Sequence, residues 1–190
     1  MKTKERILQE ALRQFNERGI SQVGVRDIAR SLDMSAGNLS YHFSRKADII
    51  IELLTRFRKS NDLIYERYFE IGPSLSGFLD CLREVFNNQY EHAGLMVGQG
   101  EVQEIIRQHF NYKDAEHNRK DFFRRIFTGL RDSGELTLSA ADIDFLISFI
   151  SLFGRFWMIE AAVSFADWPR EKIIDYYIGL IERQLSLFKV

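Results

Sequence analysis

The sequence predicts an all-α fold in two parts, an N-terminal group of three helices joined by a long helix to a larger helical bundle. Three observations carry that expectation. Apolar residues recur at three- and four-residue spacing along almost the whole 190-residue chain, the mark of amphipathic helices. No segment alternates with the period of a half-buried strand, and no Asn-Gly or Asp-Gly hairpin signal occurs. The sequence contains only 2 prolines, so long helices run uninterrupted.

The first helix is expected from about Thr3 to Arg18, with Ile7, Leu8, Ala11, Leu12 and Phe15 as its apolar stripe. Thr3 is its expected N-cap and Gly19 its stop. Short helices follow over about Val25–Leu32 and Ala36–His42, the second capped by Ser35. A long helix runs from about Arg45 to Phe69 and ends before Gly72-Pro73. The next spans about Ser74–Glu91, and Gly94, Gly98 and Gly100 mark a looser patch after it. Helical spacing resumes over about Glu101–Phe110 and Asp114–Asp132, and Ser133-Gly134 ends it. Ser139 with Asp142 reads as a capping box opening a very apolar helix to about Phe165. Pro169 fits the first turn of the last helix, which reaches about Leu187. Two domains are expected, 1–48 and 49–190.

The net charge of −1 hides an asymmetry. Residues 1–48 carry nine Lys/Arg against six Asp/Glu, a balance of +3, and the remainder carries −4. An anion-binding face is therefore expected at the N-terminal end. The one cysteine, Cys81, cannot form an internal disulfide and reads as a small buried side chain in a reducing compartment. The N-terminal run is charged, without an apolar stretch of signal type. The stretch from Phe145 to Val163 is nearly long enough to span a bilayer, but Arg155 and Glu160 interrupt it. A helix buried on most sides within protein is expected there, with no membrane partner and a cytoplasmic location. His92, His109 and His117 are scattered without metal-ligand spacing, and no glycine-rich phosphate loop or nucleophile elbow occurs. Neither an enzyme, a metal site nor a cofactor is expected.

The informative segment is Val25 to Phe43, VRDIARSLDMSAGNLSYHF. Ile28, Ala29, Leu32, Met34 and Leu39 fall where two short helices crossing steeply would bury them. Ala29 is small enough for close approach, Asp33 tolerates the left-handed backbone of a tight turn, and Ser35 caps the second of the two helices. Together they make a helix-turn-helix over about residues 25–43, whose second helix enters a major groove.

Here the chain resembles the TetR family of transcriptional regulators. The family pattern is a first helix ending Phe-x-x-x-Gly, then Arg-Asp-Ile-Ala, then Ser-x-Gly-x-Leu-Tyr-x-His-Phe-x-x-Lys. The chain supplies Phe15 to Gly19, Arg26-Asp27-Ile28-Ala29, Ser35-Ala36-Gly37-Asn38-Leu39-Ser40-Tyr41-His42-Phe43 and Lys46. Gly24, Asp33 and Ser40 stand where the family usually has a hydroxyl cap, a turn glycine and a tyrosine.

The resemblance implies a double-stranded DNA operator and a homodimer. The expected DNA-binding residues are Lys4, Arg26, Ser35, Ala36, Gly37, Asn38, Ser40, Tyr41, His42 and Lys46. Gly37 allows close approach, Asn38 reads a base edge, and Ser40, Tyr41 and His42 donate to phosphates. Lys46 is the expected phosphate anchor, with Lys4 and Arg26 also reaching the backbone. Residues beyond about 50 are expected to form a ligand-binding and dimerisation bundle. Its expected pocket residues are Phe86, Tyr90, Phe123, Phe127, Phe149, Phe153 and Trp157, for a small apolar or aromatic effector. Its expected dimer contacts are Ile150, Trp157, Ile174, Tyr177, Ile178, Ile181 and Leu185. The expected function is a repressor released from its operator by that effector. A regulator without a ligand, or an activator, is the alternative.

Overall fold

The computed structural model describes residues 2–189 and, of Gln99, Tyr112, Lys113 and Ala115, the backbone alone. Met1 and Val190, the outer limits of the two expected domains, lie outside the described residues. Ten α-helices and one 3-10 turn occur among the described residues, with no strand.

The chain divides into two compact units. The first holds residues up to Ser60 together with Glu91–Tyr112, and the second holds Asn61–Tyr90 and Lys113–Val190. The helix-turn-helix unit is thus larger than residues 1–48, because a distant segment folds onto it.

In the first unit, α1 (Thr3–Arg18) buries Ile7, Leu8, Ala11 and Phe15. Lys2, not Thr3, takes the cap position, since Lys2 is extended and its carbonyl accepts the Glu5 and Arg6 N–H groups. Thr3 is already helical and cannot cap. Gly19 ends the helix at φ 80°, a conformation that glycine adopts without a Cβ penalty. A 3-10 turn over Ile20–Gln22 leads to α2 (Val25–Ser31). Gly24 has no side chain to cap with, so the Asp27 carboxylate accepts the Gly24 N–H at 2.9 Å instead. Asp33 holds φ 53°, the left-handed turn its position requires. The α3 helix (Ala36–His42) follows with Ser35 accepting the Asn38 N–H at 3.1 Å.

Buried Gln14 ties α1 to α2. Its amide donates to Glu10 Oε1 at 2.8 Å and to Ser31 Oγ at 2.6 Å. Hydrogen bonds from Arg13 pull the Glu10 carboxyl from an ordinary 4.5 down to about 2, against the opposing effect of burial and with help from Gln14 and Ser31. A depressed carboxyl contributes stability only while ionised. We expect that contribution to be complete above about pH 4.5 and to be lost as pH falls toward 2. Urea unfolding of Glu10→Gln should be flatter across that window than wild type, and an equally steep fall would contradict the assignment.

The long α4 (Lys46–Ile71) starts in the first unit. Its N-terminus is capped by Asp48, which accepts from Ser44 Oγ at 2.7 Å and from the Arg45 N–H at 2.9 Å. The Ser44 bond chiefly lowers the Asp48 carboxyl, burial opposes it, and the Arg45 bonds lower it further. The glycine-dotted patch, expected to be loose, is helical: α6 (Ala93–Val97) and α7 (Gln99–His109) fold against the helix-turn-helix core. Leu95, Val102 and Ile105 are buried there with Phe15, Leu39 and Ile50. Gly94 lies directly on the α1 backbone, where a Cβ would stand 2.9 Å from the Asn16 nitrogen and closer still to the Phe15 carbonyl. The Asn16 side chain clamps the contact, donating to the Glu91 carbonyl at 2.8 Å and accepting the Gly94 N–H at 2.8 Å.

The second unit holds the end of α4, α5 (Leu75–Glu91) through Tyr90, α8 (Tyr112–Asp132), α9 (Ala140–Ser164) and α10 (Arg170–Ser186). Phe78, Leu82, Phe86, Ile126 and Phe127 are among its largest fully buried side chains. Ser139 and Asp142 form the expected capping box, with the Ser139 N–H on Asp142 Oδ2 at 2.8 Å and the Asp142 N–H on Ser139 Oγ at 3.2 Å. Pro169 is the N-cap of α10, just outside the first turn. Ion pairs Arg67–Glu84, Arg83–Asp175 and Arg124–Asp144 lie on the surface. Cys81 is buried and free, and burial pushes its thiol up to about 12, so it stays protonated.

Candidate nucleic-acid interface

The α3 helix is seven residues long and buries only one of them fully. Leu39 is fully buried, whereas Ala36, Gly37, Asn38, Ser40 and Tyr41 are exposed. Tyr41, at 86%, is the most exposed large hydrophobic side chain among the described residues. His42 is half-buried and meets the Tyr41 ring edge-on at 5.3 Å. So short a helix does not persist in water alone. It is held by the Ser35 cap, the Asp33 turn and Leu39, which leaves its outer face uncommitted.

Gly37 sharpens the point. A helix-interior glycine costs about 1 kcal/mol relative to alanine. Yet a Cβ at Gly37 would meet only Ser35 Oγ, at 4.0 Å. The chain's own packing does not call for glycine there. What a bare backbone provides at this position is room for something outside to come close.

Arg26 is exposed at the start of α2. Two expected anchors behave differently. Lys4 donates to Glu52 Oε2 at 3.3 Å and sits over the Phe43 ring at 5.3 Å. Lys46 turns inward, donating to the Ile20 carbonyl at 3.0 Å and pairing with Glu101 Oε2 at 2.9 Å. The expected phosphate anchor is thus engaged within its own unit, because α7 brings a carboxylate within reach. Sequence reading passed over Arg30 and Arg45, both mostly exposed, beside Asp27 and Asp48. The signal was available in the acid three residues after Arg45, which marks the start of α4.

Residues 7–53 match the family model described as bacterial regulatory proteins, tetR family. That span covers most of α1, all of α2 and α3, and the first turns of α4. Over those residues the chain is similar to the TetR family. The HTH-type transcriptional repressor KstR2 of Mycobacterium tuberculosis is 33% identical over 112 residues, 56% of this chain and 54% of that one. The chain thus spans about half the length of that relative. The KstR2 repressor of Rhodococcus jostii is 29% identical over 76% of this chain and 71% of its own. Among solved structures, a TetR-family regulator from Marinobacter aquaeolei superposes with a TM-score of 0.89 at 22% identity, covering 100% of this chain and 92% of its own. The ketosteroid transcriptional regulator KstR2 of Mycobacterium tuberculosis superposes at 0.73 and 21% identity, covering 100% and 96%. These likenesses establish the fold. The relatives are transcriptional regulators, in agreement with the expectation that the chain is not an enzyme.

The second unit revises two expectations. The seven expected pocket residues do not form one wall. Phe86 stacks on Trp157 at 4.5 Å and on Phe153 at 6.5 Å, and Phe149 lies beside Phe153. Phe127 packs instead on Phe78, Phe123 lies near Tyr65, and Tyr90 faces the Arg170 guanidinium. An open groove of about 540 Å³ has other walls, including Tyr68, Phe69, Pro73, Arg124 and Arg125. The expected pocket aromatics mostly fill space with one another.

The seven expected dimer contacts, Ile150, Trp157, Ile174, Tyr177, Ile178, Ile181 and Leu185, are all buried within the single chain. They are core, and none offers surface to a second chain. The opposite faces of the same helices are apolar and exposed: Phe145, Leu152, Phe156 and Val163 on α9, and Tyr176, Leu180 and Leu187 beside them in sequence on or just past α10. Of the most apolar stretch of α9 only 33% is buried, so that helix is not enclosed on most sides as expected. By length and composition it could cross a membrane.

Proposed function

We propose that the chain is a homodimeric DNA-binding transcriptional repressor. Two α3 helices lie in successive major grooves of an operator, and an apolar effector taken up by the second unit releases it. The observation that carries the reading is α3 itself, with its exposed outer face and a glycine its own packing does not need. Asn38 offers a donor and an acceptor to an adenine edge, and Tyr41, Ser40 and Arg26 supply phosphate contacts. The name repressor carried by the KstR2 relatives supports the sense of regulation. Such a protein works in the cytoplasm, beside bacterial DNA.

Dimerisation would use the exposed stripe on α9 and α10, which pairs each helix with its symmetry mate. Pairing places two recognition helices at half-sites one turn apart. For the effector, the stacked rings Phe86, Phe153 and Trp157 supply an apolar wall. The Tyr177 hydroxyl on α10, whose ring packs on Phe153 and Trp157, and the Ser151 hydroxyl on α9 are buried without a hydrogen-bond partner. A buried hydroxyl without a partner is costly, and a mostly apolar molecule with one or two polar groups would relieve it. Ketosteroids, after which the structural relative from Mycobacterium tuberculosis is named, have that character.

The test is a fluorescence titration of labelled duplexes from the gene's own upstream region. Asn38→Ala should cost about 1–3 kcal/mol on the preferred duplex and narrow the gap to scrambled sequence. Arg26→Ala should weaken both duplexes alike. Equal binding by Asn38→Ala and wild type on every duplex would remove α3 as the reading element.

A further inference from the structure

We infer that Glu101 is a built-in competitor for DNA phosphate, holding Lys46 back from the duplex and setting how tightly the protein binds. The inference rests on the DNA-binding reading above and deepens it.

Lys46 is the first residue of α4, four positions after His42 ends α3. A cation at a helix N-terminus is poorly placed, because the unsatisfied N–H groups there already carry partial positive charge. Arg45 adds a second cation one residue earlier. Such a corner attracts anions, and the chain supplies its own. Asp48 takes the Arg45 N–H and guanidinium, the latter at 3.0 Å. Glu101, reaching over from α7, takes Lys46 at 2.9 Å. The Lys46 side chain is 21% exposed and its ammonium is also fixed on the Ile20 carbonyl at 3.0 Å.

The two carboxylates differ in origin. Asp48 is local to its own helix cap. Glu101 comes from 55 positions away in sequence, on α7, whose Val102 and Ile105 pack into the helix-turn-helix core. Paired with Glu101, Lys46 presents no net charge to a phosphate. Released, it would add one cation to the protein's DNA-facing end. A shift of α7 that carried Glu101 away from Lys46 would leave the protein's net charge unchanged but would free the ammonium to meet a phosphate.

The experiment titrates a labelled mixed-sequence duplex with the full-length chain at about 50 mM and about 200 mM salt. The proteins are wild type, Glu101→Gln, Glu104→Gln, Lys46→Met and the Lys46→Met/Glu101→Gln double variant. Glutamine keeps a hydrogen bond to Lys46, and thermal melting checks that each variant folds. Glu104 sits on the same helix and pairs with Arg107, so its variant removes the same charge without touching Lys46. Expected is tighter binding by Glu101→Gln at low salt, with a slope steeper by up to about 0.9. Its advantage should shrink about threefold between the two salts. Glu104→Gln should change little, and Glu101→Gln should lose its effect in the Lys46→Met background. Unchanged or weaker binding by Glu101→Gln would overturn the inference, as would equal tightening by Glu104→Gln or persistence of the effect without Lys46. A wild type that binds no duplex at either salt overturns the DNA-binding reading as well, which separates the two failures.

Discussion

Leu152→Arg and Phe156→Arg should each leave a folded protein that sediments as a monomer and loses operator affinity by about 10²-fold or more. Leu152 is 63% exposed and Phe156 45% exposed in the single chain. Replacing them opens no cavity in the core behind. In a pair, the same two positions would meet their symmetry mates at the centre of the contact, where a buried charge without a partner is severely unfavourable. Monomers then bring one recognition helix at a time, and the gain from a second half-site held nearby is lost. Contiguous exposed apolar side chains of this kind mark contact surfaces. Arg155 and Glu160 stand exposed on the same helix, and charged groups suit a watery interface rim far better than lipid. A dimer that persists in both variants, measured by sedimentation at micromolar concentration, would assign dimerisation to another surface.

Gly94→Ala should destabilise the first unit by about 3 kcal/mol. The added methyl would collide with the α1 backbone at Phe15 and Asn16. Backbone within a packed helix cannot swing aside as a flexible side chain does, and overpacking of this kind costs about 1–3 kcal/mol. Pushing α6 away would also stretch both hydrogen bonds of the Asn16 clamp, each worth about 1 kcal/mol. For a chain of this size the midpoint of thermal unfolding should drop by about 6–12 °C. Asn16→Ala, which removes the clamp but leaves space, should cost less than Gly94→Ala. A reversed order would mean that the hydrogen bonds, not the close approach, hold α6 in place.

Local physics was legible at the level of single residues. Asp33 in the left-handed turn, Gly19 at the end of α1, Ser35 capping α3 and the Ser139–Asp142 box all come from the effect of these side chains on a nearby backbone. Such interactions span three or four positions, so spacing along the chain reports them directly. Thr3 shows the limit of that reading, since a cap moves by one residue without altering any pattern.

The helix-turn-helix, the exposure of its second helix and most of the helix order were therefore determined by the sequence alone. Tertiary structure decided three further matters. It folded Gly94 and α7 onto the helix-turn-helix unit, turning an apparent loose patch into a tight helix contact. It gave Lys46 a partner from far along the chain. It also chose which apolar face of α9 and α10 became core and which stayed exposed. A helix apolar on two sides looks the same in sequence whichever side turns inward. Only the shape of the neighbouring helices, through the close packing of Trp157 and Tyr177 against them, breaks that tie.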